Sequence, residues 1–180
     1  MIWVLILVGI IAVLLLVYMA LYNKIVKLKT TRDNAYSDID VQLNNRFDLV
    51  DNLVSTVKGY AKHEEETFTK VIEARNKLTS ASGIKEKAEA DNMLSGTLKS
   101  IFALSESYPE LKANQNFLQL QTELSDLENK IAAARRYFNA ATREYNTEIQ
   151  QFPANILFHK QPEDFFEGSE EIKKAPKVEF

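Results

Sequence analysis

Met1 to Tyr22 carry no charged side chain, and Lys24 is the first charge in the chain. An α-helix rises about 1.5 Å per residue, so this stretch reaches roughly 33 Å, close to a hydrocarbon core of ~30 Å. Whatever the rest of the chain folds into is therefore held beside a bilayer.

A cleaved signal peptide fits this segment poorly. Its first residues, Met1-Ile2-Trp3, lack Lys and Arg. The apolar run from Ile2 to Leu21 exceeds the roughly 7–15 residues of a signal sequence. Ala20 follows Tyr18 by two positions, so no small-x-small cleavage site is formed, and a chain without cysteine has no lipoprotein anchor. An uncleaved transmembrane helix over residues 1–23 is the expectation. Lys24, Lys27, Lys29 and Arg32 follow the span, and no Lys or Arg precedes it. The positive-inside tendency places that flank and the following domain in the cytoplasm, with the N-terminus outside the cell membrane. The same four cations are candidates for lipid headgroup contacts, at about 1 kcal/mol each; the plainer alternative is that they solubilise the start of a helix.

About 158 residues follow Tyr22, enough for one domain with a sizeable core. A net charge of −3 supplies no basic field for nucleic acid. The absence of cysteine removes disulfides, thiol chemistry and Cys-based metal sites, and fits a reducing compartment. Three of the four prolines lie at or after Pro153, which leaves long uninterrupted segments suited to helices.

Apolar positions bear this out. In the first helix Tyr36, Ile39, Leu43, Val50, Leu53, Val57 and Tyr60 alternate by three and four with one gap, at Arg46. Phe47 and Val54 widen the stripe, and Ile25 and Leu28 make the helix continuous with the membrane span. Gly59 precedes Lys62 and His63, and Glu64, Glu65 and Glu66 follow, a charge order that places a helix break near residues 60–64. A second helix runs from about Glu65 to Leu78 with Phe68, Val71, Ile72 and Leu78 inward, and a loop over 79–83 ends it. A third, from about Lys85 to Ser107, carries Leu94, Leu98, Ile101, Phe102 and Leu104 and stops before Pro109.

The fourth is the most regular. Phe117, Leu120, Leu124, Leu127, Ile131, Ala134, Phe138, Ala141 and Tyr145 alternate by three and four without a miss, and Phe152 resumes the phase before Pro153. Such a stripe suits either one arm of an intramolecular bundle or a seam for a partner's coiled coil. The bundle is favoured because three other amphipathic stripes also need burial. The fold expected is all-α: a transmembrane helix, then an up-and-down antiparallel four-helix bundle over 24–153, or three long helices if the break near 60–64 is absent. Residues 154–180, acidic and interrupted by proline, read as a partly disordered tail, with Phe165, Phe166, Val178 and Phe180 as candidates for ordering on a partner.

Two stretches resemble the LemA family. One is Tyr22-Asn23, then 37–43 (Ser-Asp-Ile-Asp-Val-Gln-Leu), Asn52-Leu53-Val54, Val57-Lys58-Gly59-Tyr60-Ala61 and His63-Glu64. The other comprises Glu106, Tyr108-Pro109, Leu111-Lys112-Ala113-Asn114, Asn116-Phe117, Leu120-Gln121, Glu128-Asn129 and 131–139 (Ile-Ala-Ala-Ala-Arg-Arg-Tyr-Phe-Asn). It continues to Tyr145-Asn146 and Phe152-Pro153, and the ending Pro176-Lys177-Val178-Glu179-Phe180 is similar to the family's usual close. The pattern departs at Tyr36, where the family usually has Trp, at Asn44 and Asn45, where it has basic residues, and at Asp51, where it has Pro. The resemblance implies a bacterial single-pass membrane protein built on a helical bundle, and implies no enzyme activity.

Chemistry-bearing constellations are few. His63 and Glu66 would share a helical face if no break intervened, in the manner of the carboxylate bundles, but such sites need pairs on separate helices, and His159 is the one other histidine. No Gly-x-Ser-x-Gly turn or Gly-rich phosphate loop occurs. Asp38 with Asp40, and Asp48 with Asp51, read as solvated helix faces. No catalytic, metal-ligating or cofactor-binding residue is therefore expected. Arg46, at a core-phase position, and Arg135, Arg136, Asn139 and Asn146, flanking the fourth stripe, are the candidates for bundle register or for partner recognition. The function expected is a non-enzymatic, membrane-tethered scaffold or adaptor. Its partners are the bilayer, a membrane or membrane-associated protein, or a second copy; a metal- or carboxylate-dependent enzyme is the alternative.

Overall fold

A computed structural model describes residues 1–166. Its elements are α1 (Ile2–Lys58), α2 (Glu65–Ser80), α3 (Ile84–Ser105), α4 (Pro109–Lys112), α5 (Gln115–Gln150) and α6 (Ala154–Phe158). The expected break is present: α1 ends at Lys58, and residues 59–64 turn the chain into α2. Four long helices result, with α4 and α6 as short additions.

One helix, α1, carries both the candidate membrane span and the first long helix of the bundle. Its 57 residues extend about 86 Å at ~1.5 Å per residue. No residue of its most apolar eighteen-residue window is buried, and Ile25 is the first buried residue. Nothing interrupts the helix between span and bundle, so the bundle is coupled to the span by a continuous ladder of backbone hydrogen bonds.

α5 runs antiparallel along the bundle half of α1. Lys24 meets Glu148 at the membrane end (2.6 Å), and Tyr60 accepts from Asn114 at the far end (2.8 Å). Asn114 also caps α5, its side chain accepting from the Phe117 N–H at 3.0 Å. α2 and α3 form the second pair, joined by a tight turn in which Gly83 takes φ = 100°, a conformation open to residues without a Cβ. The two pairs meet over a core of Leu43, Val50, Leu53, Val57, Phe68, Val71, Leu94, Leu98, Ile101, Phe117 and Leu124. Each such side chain contributes about 1.5–3 kcal/mol by leaving water. At the distal end Tyr108 donates to Glu64 (3.1 Å). With the Tyr60–Asn114 bond, this joins the two stretches that carry the family resemblance.

The α2–α3 hairpin adds no side chain to the apolar cluster at the membrane end. Near the start of α3, Lys87 pairs with Asp40 at 2.6 Å and lies 5.2 Å from the Tyr36 ring centroid, and Lys85 meets Asp164 at 3.1 Å. Below that level α1 and α5 pack through Ile25, Tyr145 and Ile149, with Ala154 of α6 completing the cluster. Residues 159–166 then return along α5 to Phe166, which is buried. The tail expected from Ala154 is thus docked as far as Phe166, and the boundary at residue 153 cuts through the folded body. Residues 167–180, with Val178 and Phe180, lie outside the described residues.

Candidate functional site

Arg46 fills the gap in the α1 stripe, and the structure shows why a charge stands there. Its Nη1 meets Asp91 Oδ1 at 2.7 Å, and its Nη2 meets Glu128 Oε2 at 2.7 Å. The other Asp91 oxygen pairs with Arg135, whose second Nη donates to Asn92 at 3.4 Å. Asp91 has no solvent exposure, so one buried carboxylate ties α1, α3 and α5 together. Two cations and two anions balance, which suits burial. The Nε–H groups of Arg46 and Arg135 find no acceptor among the described residues.

A groove of about 1060 Å³ opens beside this cluster, between α3 and α5. Arg46 and Leu98 form its floor. Asn92, Ser95, Gly96, Lys99 and Phe102 line the α3 wall, and Gln121, Ser125, Glu128, Asn129 and Ala132 line the α5 wall. Arg135, Arg136, Asn139 and Phe166 close one end. Gly96 keeps its wall low: a Cβ built there meets nothing within 4 Å.

Asn139 and Asn146 explain how the chain enters that end. The Asn146 amide donates to the Glu163 carbonyl (2.9 Å) and accepts from the Glu163 N–H (2.8 Å). Asn139 does the same to Phe166, at 2.9 and 2.8 Å. Seven residues of helix advance about 10.5 Å; three residues of extended chain advance about 10 Å. The spacing on α5 therefore matches every third residue of an extended segment, and the two amides hold that segment by backbone groups alone. Arg135 adds a guanidinium 4.9 Å from the Phe166 ring centroid. The α5 face bearing the two asparagines continues directly into the groove wall.

The remaining candidates fall as follows. Arg136 is exposed at the groove rim. Lys24 pairs with Glu148, Lys29 with Glu163 (3.0 Å), and Arg32 with Asp33 and Glu163 (both 3.3 Å). Arg32 is also buried, 5.0 Å from the Phe138 ring centroid. Three of the four basic residues after the span are thus turned toward the chain's own carboxylates, and Lys27 meets no carboxylate among the described residues. The hydrogen bond to Glu163 holds the Lys29 ammonium above its ordinary pKa. His63 sits in the turn before α2 and Glu66 in the first turn of α2. Glu66 pairs with Lys70 at 2.6 Å, and that hydrogen bond lowers its pKa. Among the described residues no three His, Asp or Glu side chains converge on a metal-sized space.

Two residues of the site, Asp91 and Glu128, are not among those the sequence pattern singles out. Asp91 lies three positions before Leu94 and seven before Leu98, in phase with the α3 stripe; a charge at a core-phase position was the available signal, as at Arg46. Glu128 followed as a partner from neither helix pattern. Phe166, expected to order on a partner, is instead buried against the chain's own α5, where Asn139 holds its backbone.

Comparison with known proteins supplies the context. The family model described as the LemA family matches residues 35–180. Protein LemA of Metamycoplasma hominis is 30% identical, over 80% of this chain and 66% of the relative. Magnetosome protein MamQ 2 of Paramagnetospirillum magneticum is 26% identical, over 76% of this chain and 60% of the relative. Magnetosome protein MamQ of Magnetospirillum gryphiswaldense is 26% identical, over 78% and 65%. The chain thus spans a little under two thirds of the length of these curated relatives.

Proposed function

The chain belongs to the LemA family, and from that premise we propose that it is a non-enzymatic, membrane-tethered scaffold whose α3–α5 groove receives an extended segment of a partner protein. The observation that carries this reading is the asparagine pair. Asn139 and Asn146 already hold one extended segment by its backbone, and the same face of α5 runs on as the wall of the groove. Ser95, Gln121, Ser125 and Asn129 offer further side-chain donors and acceptors along that wall, suited to peptide N–H and C=O groups. The rigid passage from span to bundle supports the tether, since α1 sets the groove at a fixed height above the bilayer. The basic flank Lys24, Lys27, Lys29 and Arg32 supports a cytoplasmic bundle at the cell membrane with the N-terminus outside.

Gly96→Trp tests this reading. The position is exposed and opens on the groove, so a large side chain fills the groove without displacing backbone. The full-length variant should keep its helical circular dichroism and melting temperature, yet lose the proteins that crosslink to the parent chain in native membranes. Unchanged crosslinks from a folded variant would contradict the groove as the partner site.

A further inference from the structure

We propose that α6 is a second membrane contact, a short interfacial helix that seats the base of the bundle in the leaflet from which α1 emerges. The inference is independent of the groove and rests on position, composition and exposure.

Position comes from the register of α1 against α5. Glu148, in the last turn of α5, is level with Lys24, two residues past the uncharged stretch. Chain beyond Gln150 therefore lies at the level where lipid begins. α6 turns against α1 there: the Phe158 ring centroid is 5.3 Å from that of Tyr18 and 6.1 Å from that of Tyr22. Both tyrosines belong to the uncharged stretch, and Tyr18 lies about 9 Å along the helix from Lys24 at ~1.5 Å per residue. Phe158 thus reaches the depth of the last turns of the span. Three aromatic rings at this level match the belt that Tyr and Trp form at membrane interfaces.

Composition agrees. Residues 149–158 carry no charge, and charge resumes at Lys160, as it resumes at Lys24 after the span. Exposure shows which face remains uncovered. Ala154 is buried and Phe158 half-buried against Ile25 and Leu28, so these residues, four apart, fasten α6 to the bundle. Phe152, Ile156 and Leu157 point away, at 79%, 60% and 44% exposure. Three large apolar side chains facing water beside a membrane span would be unfavourable; facing the headgroup–acyl boundary they are buried. The patch is continuous with the span through Tyr18 and Tyr22, so the bilayer that solvates one solvates the other. With α1 as the first contact and α6 as the second, the bundle is fixed in tilt as well as in height.

Tryptophan fluorescence tests the proposal, because Trp3 is the one native tryptophan. In a Trp3→Phe background, full-length Ile156→Trp and Leu157→Trp would be reconstituted into phosphatidylcholine–phosphatidylglycerol vesicles. Tyr137→Trp, on an exposed position of α5 well above α6, is the reference. Brominated acyl chains should quench the α6 variants several-fold more than the reference, and acrylamide should quench them less. Quenching equal to the reference would overturn the proposal. Protection from both quenchers would also overturn it, by showing that a second protein copy covers α6.

Discussion

The two ends of the bundle are built differently. At the distal end four helices enclose Val50, Leu53, Val57, Phe68, Val71, Leu98, Ile101 and Phe117 in an apolar core. At the membrane end the apolar cluster comes from α1, α5 and α6, and residues 159–166 lie along α5 beside the start of α3. There the packing is largely polar and specific: Asn139 and Asn146 on backbone groups, Lys29 and Arg32 on Glu163, Lys85 on Asp164. Hydrophobic burial is non-directional and tolerant of detail, whereas hydrogen bonds demand geometry. One end therefore supplies stability and the other supplies a selective hold on an extended chain.

Asp91 sits at the junction of these regions, so removing it produces the largest effect. Asp91→Ala leaves two guanidiniums without their shared buried carboxylate, at a cost of about 3–5 kcal/mol. Thermal unfolding in detergent micelles should show a large drop in melting temperature, with both ends losing amide protection together. An unchanged melting temperature would show that the junction does not couple them.

Asn139→Ala and Asn146→Ala separate the two ends. Each removes two hydrogen bonds to the docked segment, at about 0.5–1.5 kcal/mol per bond. Amide exchange should rise around residues 159–166 and in the membrane-end turns of α1 and α5, while Val50 to Val57 keep their protection. Equal loosening at both ends would erase the contrast.

The smallest effect is that of pH. The Lys29 ammonium is held above its ordinary 10.5 by its hydrogen bond to Glu163. A raised lysine pKa gives a contribution fully present below that ordinary value and lost only as pH rises through the higher folded-state value. Docking of residues 159–166 should therefore be insensitive to Lys29 titration from neutral pH to about pH 9 and weaken above the ordinary lysine range. Exchange rates corrected for intrinsic pH dependence would check this, and Lys29→Met should remove the alkaline step.

What the sequence made legible divides along the same line. The stripes through Ile39, Leu43, Val50 and Leu53, and through Phe117 to Tyr145, announced the helices, because apolar burial leaves a period of three and four. Arg46 was visible as a break in that period. Asp91 occupies the same kind of break in α3 but lies beyond the first apolar residue of its stripe, where the phase has not yet been established. The docked segment was invisible for a different reason. Glu163 and Phe166 are held by N–H and C=O groups that every non-proline residue carries, and the match between seven helical residues and three extended ones has no signature in side-chain type. The asparagines and Phe166 could each be named, but not their pairing.

The most direct test of the scaffold reading is site-specific photocrosslinking in native membranes from Ser125, on the groove wall, beside Lys130, an exposed α5 position outside it. The account predicts that Ser125 captures a partner protein through one short contiguous stretch of its sequence, and that Lys130 does not. Identical captures from both positions, or crosslinks from Ser125 confined to the chain's own residues after Phe166, would contradict it.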